Sequence, residues 1–502
     1  MMFKVKDLDI ATAGPLVIVV NQKDAQRLDL HANDRVLVKK GRSKSVVIVD
    51  ISEDPKSIRK GYIGAFEEVL DKLNLKDGDE VELDYARKPL SLQLIKKKLD
   101  GDHLDDAEYD IIIADVVNDE LSEGELTYFV AGCYTRGLHT HETVSLTKAI
   151  VKHGKTLNVC PDCVVDKHCI GGVPGNRTTM IVVPILAAAG LMVPKTSSRS
   201  ITSPAGTADT MEVLCNVTLP VKKMERIVKK VGGCIAWGGG VNLAAADDKL
   251  IRVRHSLSID PKGMLLASIL AKKKAVGAKH VLLDIPVGKH TKIKTRHQAN
   301  KLRRDFYKVG RLLGMNVHVV ITNGEQPIGN GIGPCLEAKD VLYIFRRDER
   351  APKDLEKKSL MLAARLLKIA GKKEPAKLAK QILESGIAYT KFKEIIKAQG
   401  GNPDIDPDKI KVGEFTKVIR AKSSGRLDDI NTAIISRIAR MAGAPLDKEA
   451  GIFMHAREGQ RVKKGQPIFT IYAKSKANLH FATKVYNQEL GILISQYVDR
   501  EI

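Results

Sequence analysis

Three short runs of β-branched and other apolar residues lie in the middle of the chain, separated by stretches with helical periodicity. They occupy residues 180–183, 281–285 and 317–321. Strands covered on both faces consist of such mainly apolar runs, and the helices between them connect the strands in parallel. The pattern therefore predicts a parallel α/β sheet, with ligands bound at the carboxyl ends of its strands.

The residues before this sheet predict two other regions. Leu28-Asp29-Leu30 and Leu73-Asn74-Leu75 each precede polar turn residues and a short apolar run, so the order helix, turn, strand occurs twice. Residues 1–86 are therefore predicted to form a β barrel of two similar halves, which resembles a double-psi barrel. In residues 87–157 apolar side chains recur every three to four positions, which predicts a helical subdomain that residues 245–275 join.

The rest of the chain is divided between a central and a C-terminal domain. Residues 158–400 form the predicted α/β domain, and its Lys-rich helical end closes at Gly400 and Gly401, where the periodicity stops. Residues 401–502 have the turn-and-strand rhythm of a small α+β domain that resembles barrel-sandwich modules of the biotinyl type. None of its lysines lies in a clear attachment hairpin, so we expect a covering or dimer-supporting domain and an assembly of two or more copies.

The charge of the chain favours anionic partners. The sequence has 82 Lys and Arg against 60 Asp and Glu, a formal net charge of +22. Aromatic residues make up only 4% of the chain, and the basic residues are scattered through amphipathic stretches instead of alternating with Phe or Tyr. Stacking surfaces for nucleic acid are thus poorly represented, and small anions are the preferred partners.

The cysteines and the apolar segments indicate where the protein works. Seven cysteines in 502 residues, without even spacing, predict a reducing compartment and hence the cytoplasm. The longest apolar stretch is interrupted by Pro184 and Gly190, so no membrane is implied. Cys160 and Cys163 lack the second ligand pair of a zinc site, and His139 and His141 are interpreted as surface groups. No metal and no cofactor are predicted.

Two segments have the composition of anion sites. Residues 166–179, Asp-Lys-His-Cys-Ile-Gly-Gly-Val-Pro-Gly-Asn-Arg-Thr-Thr, precede an apolar segment, and glycines before a helix start let backbone N–H groups approach an oxyanion. Lys167, His168 and Arg177 add charge or donors. Residues 195–209 are dense in hydroxyls around Arg199, which can hold a phosphate bidentately. A tight turn and a solvated Ser/Thr loop are the alternative interpretations, but the two segments together favour a phosphorylated substrate.

Both segments resemble signature segments of the thymidine and pyrimidine nucleoside phosphorylase family. The resemblance covers residues 87–500, and it is strongest to the archaeal-type AMP phosphorylase branch, which shares the additional N-terminal domain. It implies phosphorolysis of a nucleoside 5′-monophosphate: AMP and inorganic phosphate give adenine and ribose 1,5-bisphosphate, with CMP and UMP as alternative substrates. Thymidine or pyrimidine nucleoside phosphorolysis is the nearest variant.

The resemblance also assigns roles to residues of this chain. Asp260 matches the proton donor to the leaving base, and His168 is placed with it among the catalytic residues. The attacking phosphate is expected at Lys167, Thr179, Ser197 and Thr207. The expected substrate contacts are Gly172, Ser198, Arg199, Ser200, Ile201, Thr202, Ser203, Ser268 and Lys292. Cys169 stands where many relatives have a Ser that contacts phosphate, so the hydrogen bonds are expected to differ there.

Glycosidic cleavage explains why an acid is needed. The sugar passes through an oxocarbenium-like state, and the base must leave with its charge neutralised. Asp260 precedes an apolar run at 264–267, a surrounding that can keep a carboxyl protonated; without the resemblance, a helix N-cap is the simpler role. Phosphoribosyl transfer would need an acidic Mg²⁺ site, which these basic, hydroxyl-rich loops do not offer. A nucleic-acid-binding protein is the remaining alternative, and its binding would weaken steeply with salt.

Overall fold

The structure is a computed structural model that describes residues 1–11, 14–86, 88–159, 164–200, 203–241, 243–257, 259–489 and 491–495. Within these residues the chain forms two compact units. The first contains residues 1–153 and 245–267, and the second contains residues 154–244 and 268–502. The domain boundaries predicted from the sequence divide the chain more finely and stay predictions.

The first unit begins with a closed β barrel whose strands follow the order β1-β5-β2-β4-β3-β6. Alternate side chains point inward, and Ile18, Val38, Val49 and Ile63 are fully buried in its core. Each predicted helix–turn–strand repeat is present, since α1 leads to β3 and α2 leads to β6. The elements are β1 (Met2–Asp7), β2 (Val17–Asn21), α1 (Gln22–Arg27), β3 (Arg35–Lys40), β4 (Ser43–Ser52), β5 (Tyr62–Ala65), α2 (Glu67–Leu73) and β6 (Glu80–Tyr85).

Helices make up the remainder of the first unit, as predicted. Helices α4 and α5 begin with capping boxes, formed by Asp105 and Glu108 and by Ser122 and Glu125, because side-chain oxygens there accept the first free backbone N–H groups. Arg35 of the barrel pairs with Glu125 and so joins the barrel to the helices. The helices are α3 (Ser91–Asp100), α4 (Asp106–Val117), α5 (Glu123–Thr135), α6 (Thr140–Lys152) and α11 (Ala245–Ser256).

The second unit contains the predicted parallel sheet. Strands β11, β10 and β7 pair in parallel, β8 pairs in parallel with β9, and a parallel bridge between Val164 and Met192 links the two sets. The elements are β7 (Val165–Cys169), α7 (Thr178–Ala188), β8 (Val193–Ser197), α8 (Thr207–Met211), α9 (Val221–Val231), β9 (Gly233–Trp237), α10 (Gly238–Val241), α12 (Lys262–Ala275), β10 (His280–Val287), α13 (Arg296–Leu312), β11 (Asn316–Asn323), α14 (Pro334–Arg346), α15 (Lys353–Ile369), α16 (Pro375–Glu384) and α17 (Ile387–Ala398).

One of the three strand predictions is wrong. Residues 281–285 and 317–321 lie in β10 and β11, but residues 180–183 lie inside helix α7. Every residue from Thr178 to Ala187 is buried, so the helix is covered on all sides. A helix covered all round has no polar face, and its sequence has the same continuous apolar character as a buried strand.

The end of the second unit is an α+β region, as predicted. Its sheets follow the orders β12-β15-β17-β13 and β16-β14-β18. Among the described residues, no helix is both long and apolar enough to cross a bilayer. The elements are β12 (Gly331–Ile332), a 3-10 turn (Pro407–Lys409), β13 (Phe415–Arg420), β14 (Gly425–Ile430), α18 (Thr432–Met441), β15 (Gly451–Met454), β16 (Arg461–Val462), β17 (Pro467–Ala473), α19 (Lys476–Gln488) and β18 (Ile492–Ser495).

Candidate phosphate and nucleotide site

The Gly-rich loop connects the carboxyl end of β7 to the start of α7. Gly171, Gly172 and Gly175 have φ angles of +88°, +94° and +73°, a region that glycine adopts without steric cost. A Cβ atom at Gly175 would overlap the carbonyl oxygen of Ile328. The loop therefore needs glycine, and α7 begins directly after it, as the sequence predicted.

Lys167 lies in β7 and is 2% exposed. Its Nζ donates to Thr178 Oγ1 at 2.6 Å and lies 3.4 Å from Thr179 Oγ1. Burial lowers the pKa of Lys167 from its ordinary value, because the ammonium loses its water. A bound anion would compensate for that loss. The structure thus brings together the predicted phosphate ligands Lys167 and Thr179, with Thr178 as an additional hydroxyl.

A buried ion pair lies near Lys167. Lys358 Nζ of α15 lies 3.0 Å from Asp284 Oδ2, and Thr322 donates to Asp284 Oδ1 at 2.6 Å. Burial alone would raise the pKa of Asp284, but Lys358 and Lys167 hold it below its usual value. This face of the sheet thus has two buried basic side chains, Lys167 and Lys358, beside the Asp284 carboxylate. Basic side chains in a buried position favour an anionic ligand.

His168 lies on the opposite face of the sheet. Successive residues of a strand point to opposite sides, so His168 and Asp166 face away from Lys167. Asp166 Oδ2 accepts from Lys273 Nζ at 2.7 Å, and its Oδ1 lies 3.6 Å from Lys195 Nζ. Burial, with Lys273 and Lys195 nearby, lowers the pKa of His168 well below its ordinary value, so the imidazole is neutral at pH 7. A role for His168 in the same cluster as Lys167 does not fit this geometry, and its catalytic role stays a prediction.

Arg177 joins the two predicted anion segments instead of presenting a free guanidinium. Its Nη1 donates to Thr207 Oγ1 at 3.0 Å and its Nη2 to the carbonyl of Ala205 at 2.7 Å. Its Nε pairs with Glu337 of α14, which is 1% exposed. These contacts hold the two loops in place, and the interpretation of Arg177 as a phosphate donor stays a prediction.

Asp209 holds the hydroxyl-rich segment in its folded form. Its Oδ2 accepts from the backbone N–H groups of Ser200 at 2.7 Å and Gly206 at 2.8 Å. The Ser200 and Ser203 hydroxyls lie 3.0 Å apart, and Ser203 Oγ donates to the carbonyl of Ala205 at 3.1 Å. The predicted substrate contacts Ser200 and Ser203 therefore lie side by side.

Arg199 is already bound by carboxylates in this structure. Its Nη1 donates to Glu212 Oε2 at 2.7 Å, its Nη2 donates to Glu212 Oε1 at 2.5 Å, and Asp209 Oδ1 lies 3.4 Å from Nη1. The guanidinium also lies over the Trp237 ring, 4.9 Å from its centroid. Bidentate phosphate binding by Arg199 stays a prediction, and it requires the guanidinium to leave Glu212.

The remaining predicted contacts are distributed along neighbouring segments. A Cβ atom at Gly172 would lie 3.0 Å from the backbone nitrogen of Lys292, so these two predicted contacts are adjacent. Ser197 is half-buried at the end of β8, Ser198 is exposed after it, and Ser268 is buried in α12. Ile201 and Thr202 lie outside the described residues.

Asp260 lies in the first unit, two residues before α12. Its side chain is 43% exposed, and its Oδ1 accepts from Arg254 Nη1 at 3.1 Å. Arg254 is buried, and its Nη2 lies 3.6 Å from Asp247 Oδ1. The described contact of the carboxylate is thus with a charged group, and the apolar surrounding expected from residues 264–267 stays a prediction.

Cys169 interacts weakly in place of the expected hydroxyl. Asn176 Nδ2 lies 3.4 Å from its Sγ. Burial raises the pKa of Cys169 to about 11, so the group is a neutral thiol at pH 7. A thiol is a poor donor compared with a hydroxyl, and the expectation that the hydrogen bonds differ here is consistent with this contact.

Sequence reasoning missed the buried charges that position these groups. A signal was present for some of them, since Asp284 interrupts an otherwise apolar strand and Asp166 begins the Gly-rich segment directly after two valines. Buried charges are rare unless they are paired or functional. Glu337 and Lys358 lie in helices that contain other charged residues, and nothing in their sequence context distinguishes them.

Comparison with known proteins extends over nearly the whole chain. The helical bundle domain of a glycosyl transferase family matches residues 92–154, the a/b domain of that family matches residues 162–389, and the pyrimidine nucleoside phosphorylase C-terminal domain matches residues 426–493. AMP phosphorylase 1 of Archaeoglobus fulgidus is 44% identical over 97% of this chain and 96% of its own length. AMP phosphorylase of Pyrococcus furiosus is 45% identical over 95% of each chain.

A solved structure is similar in fold. Anthranilate phosphoribosyltransferase from Thermus thermophilus covers 61% of this chain and 98% of its own, with a TM-score of 0.52 and 19% identity. At that identity the similarity supports the helical and α/β architecture alone.

Proposed function

The chain belongs to the AMP phosphorylase family, and on this premise we propose that it catalyses the phosphorolysis of AMP. Inorganic phosphate displaces adenine from C1′ of the ribose, and the products are adenine and ribose 1,5-bisphosphate. The observation that carries the proposal is 41–45% identity over nearly the full chain to relatives of that name. CMP and UMP are the alternative substrates.

The buried cluster at the Gly-rich loop supports a phosphate site. Lys167 donates to Thr178 and lies beside Thr179, and Lys358 is a second buried basic side chain on this sheet face. An oxyanion in contact with Lys167 and these hydroxyls would gain charge-assisted hydrogen bonds in a site that excludes water. We assign this position to the attacking phosphate, with Ser197 and Thr207 contributing from the adjoining segment.

Asp260 is the group proposed to protonate the leaving base. The C1′–N bond breaks as the C1′–O bond to phosphate forms, and the electron pair left on the base takes the proton of the Asp260 carboxyl. The Arg254 contact is proposed to weaken when the base binds, because Arg254 Nη1 donates to the same carboxyl group. A sugar 5′-phosphate is proposed to contact the segment that brings Gly172 and Lys292 together.

Thymidine or pyrimidine nucleoside phosphorolysis is the second candidate, favoured by the C-terminal match at residues 426–493. The two differ in whether the substrate carries a 5′-phosphate. Cytoplasmic location is part of the proposal, and it is supported by the free thiols of Cys133, Cys169, Cys215, Cys234 and Cys335, the cysteines within the described residues. An assembly of two or more copies also remains part of it.

Release of free base tests the proposal. The purified chain is incubated with phosphate and, separately, with AMP, CMP, UMP, adenosine, thymidine or uridine, and the bases are separated by chromatography. Adenine from AMP but not from adenosine supports the proposal, whereas thymine from thymidine supports the second candidate. Asp260→Asn is expected to lower turnover about 10²–10⁴-fold while nucleotide binding is kept. Full activity of this variant would contradict its role.

A further inference from the structure

Two exposed histidines in the first unit point to the same buried carboxylate. Glu142 of α6 is 3% exposed, while His103 and His139 are 62% and 68% exposed. The Nδ1 atoms of both imidazoles face Glu142 Oε2, at 3.4 Å from His103 and 3.5 Å from His139. The rings themselves lie edge to face with their centroids 4.2 Å apart. The phosphorolysis reaction uses none of these groups.

These distances are longer than charge-assisted hydrogen bonds of about 2.7–2.9 Å. They match the edge of a zinc tetrahedron, which is about 3.4 Å when the ligands lie about 2.0–2.1 Å from the ion. The ligand atoms of His103, His139 and Glu142 all lie within 4.8 Å of one another. Both rings are mostly exposed, so their rotation can shorten the remaining edge, which joins the two Nδ1 atoms.

Glu142 is held in place by contacts that leave a position for an ion. Its Oε1 accepts from Lys98 Nζ at 2.6 Å and Tyr109 Oη at 3.1 Å, and the Leu104 N–H lies 3.3 Å away. Its Oε2 accepts the backbone N–H of His139 at 2.9 Å and has a longer contact of 3.4 Å with His103 Nδ1. An ion between Oε2 and the two imidazoles would replace that long contact and leave the other hydrogen bonds of Glu142 in place. Outer contacts of this kind fix a metal-binding carboxylate.

We propose that His103, His139 and Glu142 bind one Zn²⁺ ion through two imidazole nitrogens and one carboxylate oxygen. Water completes the tetrahedron, since the histidines face solvent. Imidazole and carboxylate ligands in this geometry suit zinc. The ion links the turn before α4, which carries His103, to the start of α6, which carries His139.

The proposed zinc ion lies near the segment that follows Asp260, the proposed proton donor. Leu138 precedes His139, and its side chain packs against Gly263, where a Cβ atom would lie 2.5 Å from Leu138 Cβ. Gly263 lies in the first turn of α12. A zinc ion at His139 therefore holds the residues that support this turn, and its role is to stabilise the first unit.

Zinc binding by the full chain in reducing buffer tests the proposal. The chain is treated with EDTA, exchanged into metal-free buffer and titrated with Zn²⁺ in a calorimeter, while Co²⁺ absorption reports tetrahedral ligation. One ion per chain is expected, with more than about tenfold weaker binding in His103→Ala and in His139→Ala. His141→Ala is the matched control, because His141 is an exposed histidine on the same helix outside the cluster.

A second control removes a competing site. The double variant Cys160→Ser, Cys163→Ser is expected to bind zinc as the unchanged chain does. The proposal is overturned by a chain that binds no zinc, by equal binding in all histidine variants, or by loss of binding in the cysteine variant alone. Calorimetric unfolding gives a further readout: zinc should raise the melting temperature of the unchanged chain and of His141→Ala, but not of His103→Ala.

Discussion

The buried ion pair between Arg177 and Glu337 predicts a large loss of stability when its negative charge alone is removed. Glu337→Gln keeps the shape of the side chain and an oxygen that can accept from Thr210 (2.8 Å) or Gly333 (3.2 Å), but leaves the guanidinium uncompensated. Arginine cannot lose its proton in a protein, so the charge stays buried. Breaking such a pair costs about 3–5 kcal/mol.

Trp237 makes this loss measurable in the second unit. It is the one tryptophan of the sequence and lies at the end of β9, so its fluorescence reports the unfolding of the unit that contains Arg177. Urea unfolding should show a free energy lower by about 3–5 kcal/mol in Glu337→Gln. The double variant Arg177→Met, Glu337→Leu should recover most of it, because replacing both charges removes the desolvation cost. A loss below about 1 kcal/mol in Glu337→Gln would refute the reasoning.

Removal of the arginine of this pair, in Arg177→Met, should change how the stability of the fold depends on pH. Burial raises the pKa of Glu337 above 4.5, and Arg177 opposes that rise. In Arg177→Met the carboxyl keeps its proton to higher pH, so the folded pKa lies further above the unfolded value. A carboxyl whose pKa is raised by folding contributes its full stabilisation of the folded state below pH 4.5. This contribution is lost as the pH rises through the folded pKa. The stability of Arg177→Met relative to the unchanged chain should therefore increase on acidification, and a flat difference would contradict the assignment.

Further predictions concern the same unit. Burial lowers the pKa of Lys195, so the free energy of unfolding of the unchanged chain should fall as the pH drops from 10.5 through the folded pKa. In Lys195→Met the difference in free energy of unfolding between pH 9 and pH 6, measured by Trp237 fluorescence, should be smaller. Gly175→Ala should disrupt phosphate binding because its Cβ meets a backbone carbonyl, whereas Gly171→Ala, which has open space, should cost only about 1 kcal/mol of backbone strain in urea unfolding. Lys167→Met should raise the KM for phosphate by more than tenfold, or about 1.4 kcal/mol, while far-UV circular dichroism is unchanged.

Hydrophobic periodicity and turn residues predicted most helices and strands correctly. The predictions were correct where a pattern is compatible with only one type of secondary structure. The barrel repeat, the helices from residue 91 and strands β10 and β11 have clear periodicity or clear turn signals. Residues 180–183 were assigned wrongly because an all-apolar run fits a buried helix as well as a buried strand. These residues form a helix because other elements pack on every side of α7, which is a property of the tertiary structure.

The candidate site was predictable in its location and less so in its contacts. The Gly-rich run identified the loop at the end of β7, and Lys167 with Thr179 came together there. Arg199 and Arg177 were expected to hold phosphate, yet their partners Glu212 and Glu337 lie 13 and 160 positions away in the sequence. Sequence spacing alone does not reveal such pairings. The surroundings of Asp260 depended in the same way on Arg254, a residue of the preceding helix.

Phosphorus NMR of AMP incubated with inorganic phosphate tests the central proposal most directly. Phosphorolysis predicts that inorganic phosphate is consumed in step with adenine release, and that a sugar bisphosphate with two phosphorus signals accumulates in equal amount. The same spectrum with Asp260→Asn should change far more slowly. Adenine release with unchanged inorganic phosphate and a single new ribose 5-phosphate signal would show hydrolysis and contradict the account.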